Sequence, residues 1–369
     1  IIFGGGENSS GNITLNGGSL DIRLFLWMNL VYGELSHFHL MDGNLTIGTD
    51  AIVGYADKAS FTQDGGINTI GGILSVADHP YYTHPAGTYT LNSGILNANK
   101  EIISNRGGIL EGQHSVGTFN QFGGENNVTT SLHLGEDQYS WGTYNLTDGT
   151  LQVGGDEYIS NKGRGIINQS GGTHHVIGTV FMGNEPKMDD YVKWEGIYNL
   201  DGGSLIIDTD LYVGNNNGRG IFNQTGGTCT VNNKFEIGSI SRTGTFSIKD
   251  GILNTHILSI ANNGTLETTG VNPTITADNF IQSDTGTLKL TVNASGICNI
   301  EILDTATFAG TLIPIDENAP YGKFSILTAD NGILGEFHTD ILPNENWDYD
   351  ITGNTLWLEH RCQYDLIGD

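Results

Sequence analysis

GTYTLNSGIL at 87–96, GTFNQFGGEN at 117–126, GTYNLTDGTL at 142–151, GIINQSGGTH at 165–174, GIYNLDGGSL at 196–205, GIFNQTGGTC at 220–229 and GTFSIKDGIL at 244–253 are one phrase written seven times. Most copies are followed by a second short phrase: EIISN at 101–105, EYISN at 157–161, VFMGN at 180–184, LYVGN at 211–215 and FEIGS at 235–239. Successive starts lie 30, 25, 23, 31, 24 and 24 residues apart, a basal period of about 24 with insertions. Fainter copies open at Gly11, Ser36 and Ala59, which brings the count to about ten and the last close to Asn262. A fixed period of this size belongs to stacked repeat architectures.

Within a copy, apolar and polar residues alternate, as Phe222 and Gln224 do with Ile221, Asn223 and Thr225. Period two marks a strand. Gly-Gly and Asp-Gly pairs punctuate the strands as tight turns require. No stretch carries a helical apolar stripe, and 54 glycines with 7 prolines oppose one. One copy cannot bury its own apolar face, whereas stacked copies can. The expected fold is therefore all-β, a parallel β-solenoid of about ten coils. A right-handed β-helix is the expected form, with the hand left open by the sequence. Residues 1–262 form the repeats, 263–361 an irregular solenoid extension ending in a β cap, and 362–369 a tail.

Two regularities sit on this frame. Asn105, Asn161, Asn184, Asn215 and Asn262 recur at one position and read as an asparagine ladder, inward or at a corner. Copies also alternate in type, with Gln63, Gln121, Gln169 and Gln224 in one and Leu91, Leu146 and Leu200 in the other. The underlying unit is a pair of coils of about 54 residues, as from Gly142 to Gly196.

The formal charge is −26, with only 15 Lys and Arg. Nucleic-acid binding needs clustered positive charge, so that class is excluded, and the same balance argues against docking on anionic lipid. The most apolar run, LFLWMNLVY at 24–32, is too short to span a bilayer. An acidic Thr/Asn/Gly-rich chain suits an extracellular or cell-surface setting. The abrupt start at Ile1 reads as a mature or trimmed terminus. Its IIFGGG run could pair with another protomer's edge, giving head-to-tail homopolymer growth. Cys229 and Cys298 read as small buried thiols, and Cys362 lies in the tail. Nine N-x-S/T sequons, at Asn8, Asn12, Asn44, Asn127, Asn145, Asn168, Asn223, Asn263 and Asn293, are candidate glycosylation sites.

The insertions 78–86, 106–116, 136–141 and 184–195 all fall between the end of one coil and the start of the next, and so share one edge. Three of them precede Leu-type coils and carry Tyr81 and Tyr82, Tyr139 and Trp141, and Tyr191 and Trp194. Such rings could stack on an extended polysaccharide, with nearby carboxylates bonding its hydroxyls. The plainer reading is that they fold down over the coil edge as local mini-cores, and a third is that they meet a protein partner. No cofactor is expected beyond Ca²⁺, for which Asp189, Asp190 and Glu195 are the candidate ligands.

Catalysis has fragments to work with but no motif. Asp189, Asp190, Lys193 and Glu195 share one loop. His174 and His175 point to opposite strand faces. His37 and His39 share a face without an evident third ligand. No catalytic residue is assigned, and a polysaccharide lyase or hydrolase stands as the alternative to a structural role.

GIFNQTGGT at 220–228 and LYVGN at 211–215 resemble the autotransporter-associated strand repeats of large exported bacterial surface proteins. YGKFSILTADNGILGEF at 321–337 and WDYDITGNTLWLEH at 347–360 resemble the closing segment that follows such repeats. CQYDLIGD at 362–369 resembles the lead-in to a dockerin-like calcium module. The resemblance implies export and solenoid form, not an activity.

Overall fold

The computed structural model describes residues 1–4, 10–29, 35–78, 85–106, 114–184, 195–215, 218–270, 272–342 and 346–362. The chain is an all-β parallel solenoid of about twelve turns, with no helix among the described residues. A typical turn has three short strands, Ser140–Leu146, Thr150–Val153 and Glu157–Ile159, separated by corners. These define a first, second and third face. Each strand pairs in parallel with the same strand of the next turn: Trp141 to Arg164, Thr150 to Thr173, Glu157 to Val180. Twelve rungs at strand spacing make a rod about 58 Å long.

The repeated phrase opens on glycine because nothing larger fits. Gly117, Gly142, Gly165, Gly196, Gly220, Gly244 and Gly264 stack in register. At Gly142 an added Cβ would lie 2.1 Å from the Ile103 carbonyl oxygen, inside van der Waals contact. The second glycine of each Gly-Gly pair has a different task. Gly203, at φ +77°, makes the left-handed corner between the first and second faces.

Alternate residues of most strands turn inward and fill the rod. On the first face, Phe38, Phe61, Tyr89, Phe119 and Tyr144 form a continuous ring stack, with centroids 4.8, 4.7, 4.9 and 4.6 Å apart and planes within 8°. Ile167 interrupts it, and tilted rings resume at Tyr198, Phe222 and Phe246. The interior is a packed core rather than a lumen, and burial of these rings supplies much of its cohesion.

The turn count corrects the expected ten. The recognisable phrase fades after Asn262, but the parallel register does not. Gly264–Thr268 lies under Gly244–Ile248, Thr287–Asn293 lies under it in turn, and Thr311–Glu317 follows. The stack ends where the direction reverses. Gly322–Ala329 pairs in parallel with Ile300–Ile302 on one edge and antiparallel with Thr355–His360 on the other. Thr355–His360 then pairs antiparallel with Trp347–Thr352. Trp347 is buried and stacks flat on His360, with centroids 4.4 Å apart. Phe308, Phe337 and Tyr349 close the base of the core beside it. At the other end Ile2 and Phe3 pair in parallel with Trp27 and Met28.

Candidate functional site

The junction between third and first faces forms one straight edge. The amides of Asn105, Glu136, Asn161 and Asn184 donate to Ala77, Ser104, Gly135 and Ser160, each one turn back. The side chains form the expected corner ladder, but in mixed form. Asn105 donates to the Asp78 carboxylate at 3.0 Å, Asn161 to Glu136 at 3.2 Å, and Asn184 to the Asn161 side-chain oxygen at 3.0 Å. Acids take the asparagine position at two of the four insertions, as Asp78 and Glu136. Burial is the largest single influence and works against the Glu136 charge, but the hydrogen bond and charge of His133, with Lys100 and the Asn161 amide, together outweigh it and hold its carboxyl below the usual range.

Of the six aromatic candidates on this edge, Tyr139 and Trp141 are described. Tyr81, Tyr82, Tyr191 and Trp194 lie outside the described residues, as do Asp189 and Asp190. Trp141 stacks on His114 at 4.1 Å, and Tyr139 lies 5.9 Å from the same ring. The Trp141 backbone is pinned by the Ser104 hydroxyl at 3.0 Å, yet 37% of the residue remains exposed. The cluster thus has a packed side and an open side. Glu195 is engaged by Arg219 at 2.6 Å. Among the described residues no three His, Cys, Asp or Glu side chains converge as a metal site.

The histidines separate as their strand positions require. His174 is fully buried, whereas His175 lies outside and meets Asp208 at 3.1 Å. His37 and His39 share the outer first face with ring centroids 5.8 Å apart. His37 contacts the Ser60 hydroxyl at 2.8 Å and His39 contacts Asp64 at 2.5 Å. The three cysteines are free, Cys229 and Cys298 being buried.

Four sequon asparagines sit mid-strand with their amides in ladders. On the outer first face, Asn145 donates to Asn120, Asn168 to Asn145, Asn199 to Asn168 and Asn223 to Asn199, at 2.8–2.9 Å. On the second face, Asn127 donates to Asn97 at 3.1 Å. Asn12, Asn44 and Asn263 are exposed, Asn293 accepts the Ser295 amide at 2.8 Å, and Asn8 lies outside the described residues. The unidirectional first-face ladder was written in the phrase itself as its recurrent asparagine, but the corner asparagines carried the clearer signal.

Two further features escaped the sequence reading. Outside the third face, Tyr158, Phe181 and Tyr212 stack at 5.3 and 5.6 Å, with Lys234 over the last ring at 4.8 Å. Inside the rod, Glu101 and Glu157 point into the core, where both are fully buried. Asn126 donates to Glu101 at 3.1 Å, and His174 lies 3.0 Å from Glu157. Burial drives the Glu101 carboxyl up to about 8, the Asn126 hydrogen bond offsetting part of the shift. Neither acid can reach a substrate. The recesses on the outside are open and lined by short polar side chains, such as Asn168, Asn199 and Asn223 with Asp201 and Lys249.

No protein-family model matches the chain, and no curated protein matches it.

Proposed function

We propose that this chain is an extracellular structural element, a stiff acidic rod that presents repeated side chains at rung spacing to a cell-surface layer or matrix. The supporting observation is the in-register parallel ladder carried through about twelve turns with a solid interior. Such a ladder resists bending because every rung bonds the next along its length. The charge of −26 favours solubility and separation of neighbouring rods. This role needs no reacting groups, and the buried acids serve packing rather than chemistry. Electron microscopy of the purified chain and of native surface layers tests it. Rods near 58 Å built into a regular layer or sheath support it, and a chain found only dispersed inside cells rejects it.

The half-open Trp141–His114–Tyr139 cluster favours a second reading, adhesion to an extended polysaccharide along the insertion edge. An exposed indole held flat by a neighbour offers apolar area with little entropy left to lose. Glycan-array binding that Trp141→Ala abolishes would support adhesion. Equal binding by both proteins would remove that cluster from consideration.

A further inference from the structure

Near-identical rungs create a problem of register. A chain that slips by one turn still superimposes its glycines, corners and strands on equivalent ones. Apart from the edge insertions, what distinguishes one turn from the next lies inside, and there the side chains follow a rule.

Three of the four Gln-type turns, those of Gln63, Gln121 and Gln169, are followed by an inward tyrosine. Tyr89 donates its hydroxyl to the Gln63 side-chain oxygen at 2.7 Å, Tyr144 to Gln121 at 2.6 Å, and Tyr198 to Gln169 at 2.5 Å. A third residue, five positions after the glutamine, completes each set. Asn68 donates to the Tyr89 oxygen at 3.0 Å and Asn126 to the Tyr144 oxygen at 3.0 Å, while His174 Nδ1 lies 2.9 Å from the Tyr198 oxygen. The glutamine amides are satisfied by backbone. Gln121 donates to the Gly124 carbonyl of its own corner at 3.2 Å and to the Thr150 carbonyl one turn on at 2.9 Å.

Each turn with leucine at the glutamine position is followed by a ring or chain without a hydroxyl. Leu15 precedes Phe38, Leu40 precedes Phe61, Leu91 precedes Phe119, Leu146 precedes Ile167 and Leu200 precedes Phe222. Those turns carry leucine on the second face as well, at Leu45, Leu96, Leu151 and Leu205, where the others carry Asn68, Asn126 and His174. The single departure supports the rule. Gln224 is followed by Phe246, its companion position holds Cys229, and its side-chain oxygen is buried with no hydrogen-bond partner.

We propose that this Gln–Asn/His–Tyr set is a register lock, a pairing code between successive turns that makes a one-turn slip unfavourable. A shift by one turn places each tyrosine below leucine and each glutamine above phenylalanine or isoleucine. Every such mismatch buries a hydroxyl or a carbonyl without a partner, at a cost well above that of an apolar exchange. A shift by two turns restores the matches, in keeping with the 54-residue period.

The code is testable in the full-length chain at Leu91 and Phe119, where the rings stack in parallel. Phe119→Tyr and Leu91→Gln each lower the melting temperature by several degrees. The double variant, which writes a Gln–Tyr match, melts above either single variant. Losses that simply add overturn the proposal. A second measurement uses removal of residues 87–116, which joins Ala86 to Gly117 and sets Gln63 directly above Phe119. In that shortened chain Phe119→Tyr raises the melting temperature, the reverse of its effect in the full-length protein. The same sign in both backgrounds refutes the lock.

Discussion

Tyr144 donates a hydrogen bond from its hydroxyl to the Gln121 side-chain oxygen, one turn earlier in the stack, across 2.6 Å of fully buried core. Both ends of the bond are satisfied, because Asn126 donates to the same tyrosine oxygen and the Gln121 amide is spent on backbone, while the Asn126 oxygen stays buried without a partner. Tyr144→Phe removes only an oxygen but leaves the Gln121 carbonyl orphaned, at about 1–3 kcal/mol. Gln121→Leu orphans the tyrosine donor at a similar cost. The two changes together cost less than their sum by roughly 1 kcal/mol, the coupling of a contacting pair. Urea titration of the four proteins measures it, and strict additivity would contradict direct pairing.

Much of the fold was legible because the phrase records backbone geometry. Gly142 is glycine since a Cβ would strike the Ile103 carbonyl, and the pattern of inward Tyr144 and Leu146 against outward Thr143 and Asn145 follows from strand pleating. The turns beyond Asn262 were undercounted for the converse reason. Thr287–Asn293 keeps the register and the alternation while its side chains no longer spell the phrase. The Gln/Leu alternation was readable, but its meaning was not. The partner of Gln121 is Tyr144, in the next copy, so the signal resides in pairs of copies rather than in any one. Glu101 and Glu157 were invisible because a charged residue in a short strand ordinarily faces solvent. Of the edge aromatics, only Tyr139 and Trp141 can be placed, and both cluster on His114.

Gly142→Ala places a methyl against the Ile103 carbonyl with no flexible side chain to yield. The two turns must separate locally, which costs about 2–3 kcal/mol by the usual overpacking scale. Gly17→Ala, where nothing lies within 4 Å of the added carbon, has only its positive φ to contend with and loses about 1 kcal/mol. Thermal melts of the two variants check the ranking, and an equal loss would show that close approach is not what selects glycine in the phrase.

Expression in a glycosylating host will separate the sequons by their surroundings. Asn44 is exposed, whereas Asn168 donates its amide to Asn145 and accepts from Asn199. A glycan on Asn168 would break two rungs of the ladder. Intact-peptide mass spectrometry should find glycan at Asn44 and none at Asn168. Substantial occupancy of Asn168 on folded protein would mean that the ladder forms late or not at all.

The ion pair of Glu195 with Arg219 lies at the surface, with the arginine side chain 43% exposed. Solvent and salt screen such a pair, so Arg219→Met changes stability by under about 1 kcal/mol, and less at high ionic strength. A larger, salt-insensitive loss in calorimetry would assign Arg219 a packing role on the outer first face instead.

Glu101 makes stability depend on pH in a definite direction. In the unfolded chain its carboxyl ionises near the ordinary value of 4.5, while in the folded protein burial keeps it protonated up to about 8. Between those values the folded state holds a proton that the unfolded state has lost. Stability from this group is therefore fully present below 4.5 and falls by about 1.4 kcal/mol for each pH unit upward. Above 8 both states are ionised and the decline stops, with a bare carboxylate left in the core. Glu101→Gln keeps the size and the hydrogen bond with Asn126 but cannot titrate. Denaturant midpoints taken from pH 5 to 8 should diverge, with wild type losing ground to the variant at each step. Parallel curves would mean that Glu101 is charged in the folded core throughout, held by interactions other than the Asn126 amide.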